Sequence, residues 1–128
     1  MAVVLDASAL LALLFAEPGA DRVARSVDAG EAALSTVNLA EVLARVAHDG
    51  GDTGRVEAGL RASPIEIVAF THAHALLVAG LLEATRPAGL SLADRACLAL
   101  ALERGAVALT TDGAWGRVPH GARVELIR

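Results

Sequence analysis

The stretch Val3-Val4-Leu5-Asp6-Ala7-Ser8 decides how the rest of the chain is read. Val3 to Leu5 reads as a buried strand. That strand ends on a carboxylate, and a second apolar run, Ala9 to Ala16, follows at once. An ionised Asp beside a core costs free energy unless it caps a helix, pairs with a cation or binds something. An apolar strand, an acid and then a helical pattern is how an α/β unit begins.

Working outward, the same alternation recurs. Ala2–Leu5, Ala32–Leu34, Ile65–Val68, Val107–Thr110 and Arg123–Ile127 read as strands, the last as an edge. Between them lie helical patterns at Ser8–Phe15, Ala20–Asp28, Asn38–His48, Thr71–Thr85 and Ser91–Arg104, with a weaker, polar one at Thr53–Ala62. Asn38–His48 carries Leu39, Val42, Leu43 and Val46 on one stripe, and Gly105 closes the helix that precedes the fourth strand. These patterns predict a single α/β domain over residues 1–128. It is a three-layer α/β/α fold with a mainly parallel sheet of about five strands and helices on both faces.

Composition narrows the partners. The chain has 128 residues, of which 55% are hydrophobic and 20% charged, so it can build a core and is not a disordered segment. The run Ala9–Ala16 falls far short of the roughly 20 residues that a spanning helix needs, and no basic segment precedes it. A cytoplasmic protein without a membrane span is expected. Cys97 is alone, which excludes an intrachain disulfide or a cysteine-based zinc site. The net charge is −4 and all eleven basic residues are arginines. Nucleic-acid affinity comes from cations on phosphates, so such a ligand requires a local Arg rim or a bound metal.

Four acids stand at the joints of the pattern: Asp6, Glu41, Asp94 and Asp112. Each has a purely structural explanation. Asp6 and Asp112 sit where strands give way to helices, as N-caps do. Asn38-Leu39-Ala40-Glu41 and Ser91-Leu92-Ala93-Asp94 both fit a capping box. In a parallel sheet, however, crossover helices run antiparallel to the strands. Their N-termini gather at the carboxyl edge of the sheet, so all four acids should meet in one crevice. Two carboxylates about 6 Å apart repel by roughly 3 kcal/mol at an effective dielectric near 20. Several such pairs together rival the roughly 5–15 kcal/mol stability of a whole domain. Protonation or a cation must relieve them. An all-oxygen donor set suits Mg²⁺ or Mn²⁺, and no His or Cys at ligand spacing argues for zinc.

At these residues the sequence resembles the PIN-domain ribonucleases, and within them the VapC-type toxins of bacterial toxin–antitoxin pairs. The matching pieces are VVLDASALLALL, STVNLAEVLARV, LSLADRACLALA and ALTTDGAW, in that order from Ala2 towards Ile127. The resemblance implies that Asp6, Glu41 and Asp94 are metal-binding carboxylates and Asp112 the fourth acid of the pocket. It implies supporting roles for Ser8, Asn38 and Thr110. It further implies metal-assisted hydrolysis of RNA, a homodimer and a small antitoxin partner. Asp6 and Asp94 are the expected direct ligands; Glu41 and Asp112 bind directly or orient water and metal. The chain has no lysine, which a receiver-type signalling domain would need, and Ser8 stands where an aspartyl phosphatase would carry a second Asp. The remaining rival is a PIN scaffold that binds RNA or a protein without cleaving.

Other residues carry less weight. Arg45 either pairs with Glu41 one turn back or sits at the rim to hold phosphate. Arg22, Arg25 and Arg117 are further rim candidates. His48, His72, His74 and His120 are expected in solvent, Cys97 and Trp115 in the core. The poverty in aromatic residues, 2% of the chain, argues against base readout by stacking. Leu76, Leu77, Val78, Leu81 and Leu82, with the Leu39–Val46 helix, suggest a homodimer seam or a groove for an antitoxin helix.

Overall fold

The computed structural model describes residues 1–128. In chain order it runs β1 (Val3–Leu5), α1 (Ala7–Leu14), α2 (Ala20–Asp28), β2 (Ala32–Ser35), α3 (Thr36–His48), α4 (Thr53–Ala62) and β3 (Glu66–Val68). It continues through α5 (His72–Gly80), α6 (Leu82–Thr85), a 3₁₀ turn (Arg86–Ala88), α7 (Leu92–Arg104), β4 (Val107–Thr110), a second 3₁₀ turn (Gly113–Arg117) and β5 (Arg123–Leu126). All five strands are parallel, in the order β3-β2-β1-β4-β5. No helix is long and apolar enough to cross a membrane.

Alternation along the central strand divides the core in two. Val3 and Leu5 point to one face, where they pack with Leu10, Val23, Val27, Val42 and Leu60 from α1 to α4. Val4 points to the other, against Val78, Leu81 and the buried run Ala96–Ala101 of α5 to α7, with Trp115 contributed by the second 3₁₀ turn. This is the three-layer α/β/α arrangement expected of apolar strands buried on both sides.

The chain enters at the middle of the sheet, moves out through β2 and β3, then returns past β1 to lay down β4 and β5. The connections leaving β1 and β4 therefore diverge, and open α/β sheets bind ligands where that divergence occurs. Asp6 stands at this point, its N–H bonded to the Leu109 carbonyl across the β1–β4 pair at 3.0 Å.

Three local expectations are corrected. The helix carrying Glu41 starts earlier than Asn38: Ser35 is its N-cap, its hydroxyl accepting the Val37 N–H at 3.2 Å, so no capping box joins Asn38 to Glu41. The helix read as Thr71–Thr85 is two pieces, interrupted at Leu81. Gly80, about 1 kcal/mol worse than Ala in a helix, marks the break, and the Thr85 hydroxyl donates back to the Leu81 carbonyl at 2.7 Å. His74 and His120 are buried rather than solvated. His74 Nδ1 accepts the Thr71 N–H at 3.2 Å while Nε2 meets Glu103 Oε1 at 2.8 Å. His120 Nδ1 accepts the Ala122 N–H, and its Nε2 lies 2.7 Å from the Trp115 carbonyl.

Candidate metal centre

Asp6, Ser8, Glu41, Asp94 and Asp112 line one cleft of about 320 Å³, with Ala7, Leu11 and Arg45 completing its wall. The acids come from the ends of β1 and β4, from the second turn of α3 and from the first turn of α7, elements distant in sequence that the sheet topology gathers.

Asp6 is the deepest, at 4% exposure. It occupies the N-cap position of α1, yet its side chain caps nothing. Instead, the Ser8 and Thr110 hydroxyls donate to one of its oxygens, Oδ2, at 2.6 and 2.9 Å. Each hydroxyl in turn accepts a backbone N–H, Thr111 to Ser8 at 3.0 Å and Asp112 to Thr110 at 3.1 Å. Oδ1 has no protein partner and is not among the buried atoms lacking one, so it opens to the cleft. Burial pushes the carboxyl up from 3.8 to about 6, against the two hydroxyls that lower it and with the charges of Asp94 and Glu41 that raise it.

Glu41 is exposed as a residue, but its carboxyl is partly desolvated in the cleft and titrates above its ordinary value. Burial is the main cause, Asn38 opposes it and the Asp94 charge adds to it. Asn38 is wholly buried and its Nδ2 donates to Glu41 Oε1 at 3.2 Å and to the Ala93 carbonyl at 3.0 Å. Both neighbours are acceptors, which fixes the amide orientation and leaves Asn38 Oδ1 without a partner. Asn38 thus ties α3 to the start of α7, one residue before Asp94.

Asp94 does form the expected capping box: its Oδ2 accepts the Ser91 N–H at 2.9 Å and Ser91 Oγ accepts the Asp94 N–H at 3.1 Å. Asp112 caps the 3₁₀ turn through Ala114 N–H at 2.9 Å. Capping and cleft lining are therefore not alternatives for these two residues.

The donor chemistry fits a hard divalent cation. Every ionisable side chain on the wall that could ligate a cation is a carboxylate, and the Asp6 carboxyl, raised first by burial and then by the charges of Asp94 and Glu41, is paired with no basic side chain. Cys97, below the cleft, is fully buried, and burial first, then the charges of Asp6, Asp94 and Glu41, holds its thiol protonated. No three acid, His or Cys side chains stand at a spacing that grips one ion unaided. Each of the four carboxylates is held by its own local donor.

The sequence model of the PIN domain family matches residues 3–121. The chain belongs to the PIN domain family. Among solved structures, this PIN domain superposes on a toxin–antitoxin complex from Klebsiella pneumoniae at a TM-score of 0.75 and 18% identity, covering 99% of this chain and 98% of that one. The DNA-bound VapBC of Salmonella typhimurium gives 0.74 at 17% identity, covering 100% and 99%. FitAcB of Neisseria gonorrhoeae gives 0.72 at 21%, covering 98% and 97%. At these identities the likeness is one of fold. No curated protein sequence matches the chain.

The arginine candidates separate clearly in the PIN fold. Arg45 is on the cleft wall but does not pair with Glu41; its Nε donates to Asp49 Oδ2 at 2.9 Å. Arg22 grips Glu125 through Nε and Nη2 at 2.7 and 3.2 Å, joining α2 to β5 away from the cleft. Arg117 lines a different hollow with Pro87 and Val118, and Arg25 is exposed on α2. Phe15 was missed by sequence reasoning: the Arg45 guanidinium lies over its ring, 5.7 Å from the centroid. Its signal was the spacing Ser8, Leu11, Phe15, which puts all three on one side of α1.

Proposed function

We propose that the protein is a Mg²⁺- or Mn²⁺-dependent RNA endonuclease, the toxin of a type II toxin–antitoxin pair. The observation that carries this reading is the cleft itself: four carboxylates on one wall, the deepest desolvated and without a neutralising cation. Asp6, Glu41 and Asp94 would hold the ion, with Asp112 at the edge. When bound, such an ion polarises the scissile phosphate and activates water for in-line attack.

The chain's own residues do the positioning. Ser8 and Thr110 fix the rotation of the Asp6 carboxylate so that Oδ1 faces the cleft. Asn38 holds Glu41 and the first turn of α7 in register. The capping box fixes Asp94. The fold places no serine–histidine or cysteine–histidine pair on the cleft wall to serve as an alternative nucleophile.

An antitoxin partner is supported by the fold neighbours, several of which are toxin–antitoxin complexes, some bound to DNA. Leu76, Leu77, Leu82 and Leu92 stand in solvent on the α5–α7 side and are available to a second copy of the chain. The cellular setting in this reading is the cytoplasm.

The test is cleavage of labelled RNA by purified protein with Mg²⁺, Mn²⁺ or EDTA, beside Asp6→Asn and Asp94→Asn. Cleavage that requires metal and both acids is expected. Binding of RNA without cleavage under any divalent metal would leave the non-catalytic scaffold in its place.

A further inference from the structure

We propose that Phe15 and Arg45 form a nucleotide subsite on the rim of the acidic cleft, where an unpaired base of an RNA strand stacks on the pair while the guanidinium holds the adjacent phosphate. The inference rests on the ribonuclease reading and names how that substrate is gripped.

The composition makes Phe15 singular. The aromatic rings are Phe15, Phe70 and Trp115. Trp115 is fully buried, and Phe70 is half-buried edge-on to His74. Phe15, 39% exposed, is the one ring offered to solvent, and it lies one turn beyond Leu11 of the cleft wall. Arg45 is equally singular: it is the sole basic residue lining the cleft. Its Nε is committed to Asp49, whereas Nη1 and Nη2 have no protein partner. It forms no hydrogen bond or ion pair with Asp6 or Glu41; its side-chain partner is Asp49.

An acidic cleft repels a polyanion, so a strand needs a cation at the mouth. A guanidinium held over the face of a ring offers free N–H donors for phosphate, and the ring beside it offers a flat surface for a base. Phosphate and base are the two halves of one nucleotide. A duplex hides its base faces, so the pair selects single strands.

The test is binding of fluorescein-labelled RNA by the full chain, with Ca²⁺ in place of Mg²⁺ and strand integrity checked on gels. The probes are a single-stranded oligonucleotide, the same strand with one run of abasic sites, and a duplex. Phe15→Leu should weaken the base-bearing single strand by about tenfold while leaving abasic and duplex binding unchanged. Phe15→Trp should restore it, and Arg45→Gln should weaken all three. Unchanged single-strand affinity in Phe15→Leu, or equal loss on the abasic strand, would overturn the subsite. A chain that binds in this pattern yet never cleaves with Mg²⁺ or Mn²⁺ would refute the nuclease reading alone.

Discussion

Ser8 and Thr110 lie 102 positions apart in the chain, yet their hydroxyl oxygens stand 3.3 Å from each other and donate to the same oxygen of Asp6. Backbone N–H groups of Thr111 and Asp112 donate to the two hydroxyls, and the shorter contact each hydroxyl makes as donor is to the Asp6 carboxylate. Two short relays thereby run from the end of β4 to the end of β1. They stabilise a carboxylate that burial would otherwise neutralise, and they leave its other oxygen open to the cleft.

Removing either relay should raise the Asp6 carboxyl above its present value of about 6. Ser8→Ala and Thr110→Val each strip one donor from Asp6 and orphan one backbone N–H, which costs about 1–2 kcal/mol in metal-free protein at pH 7. Mn²⁺ affinity should fall roughly 10- to 100-fold, as it does when groups supporting metal ligands are lost. Urea titration and calorimetric metal titration read the two effects. Unchanged affinity would show that Asp6 does not bind the ion.

The raised Asp6 carboxyl sets a pH dependence of definite sign. Unfolded, the group titrates at its ordinary 3.8; folded and metal-free, at about 6. Between those values the native state holds the extra proton, so stability is fully present below about pH 4 and is lost as pH rises through 6. The loss is about 3 kcal/mol at 1.36 kcal/mol per unit. Other carboxyls, such as Glu66 held low by its hydrogen bonds to Arg104, slope the opposite way. The measurement is therefore the difference between wild type and Asp6→Asn. The variant should be the more stable at pH 7 and lose that advantage by pH 4. Saturating Mg²⁺ should reverse the order at pH 7, because the ion requires the ionised form.

Asp94 needs two substitutions, since it both caps α7 and lines the cleft. Asp94→Asn keeps a side-chain oxygen for the Ser91 N–H and removes only the charge. Asp94→Ala removes the cap as well, which costs about 1 kcal/mol. Both should abolish metal-dependent cleavage, and only the alanine variant should melt at a lower temperature without metal. If asparagine retained cleavage, capping would be the whole role of this acid.

The strands, their parallel order of burial and the positions of the acids were legible because strand alternation, helix caps and acids at the element joints are local signals. α2, α4 and β4 occupy the spans their sequence patterns define. What local signals could not carry was the choice among competing partners. Asn38 matched a capping box on spacing, but Ser35 at the strand end took the cap and freed the amide to bridge two helices. His74 reads as polar and solvated until Glu103, 29 residues on, supplies the partner that lets it be buried. Arg22 was a rim candidate only until β5 brought Glu125 to it. Phe15 looked like the tail of an apolar run because its cation arrives from another helix.

The Asn38 bridge makes the strictest demand on chemistry. Its Nδ2 faces a carboxylate oxygen and a carbonyl, so the position requires a donor. Asn38→Leu fills similar space and orphans both acceptors, a loss of about 1–3 kcal/mol. Asn38→Asp is worse at neutral pH, since a buried carboxylate would meet only acceptors, and about 3 kcal/mol or more should be lost. The new carboxyl regains a donor when protonated. Lowering the pH to 5 should therefore narrow the gap between wild type and Asn38→Asp by more than the gap to Asn38→Leu. The latter narrows only as far as Glu41, whose carboxyl the Asn38 amide holds down, takes up a proton. Urea titrations of the three proteins at both pH values decide this. A deficit in Asn38→Asp that ignores pH would mean that shape, not the missing proton, is what the site recognises.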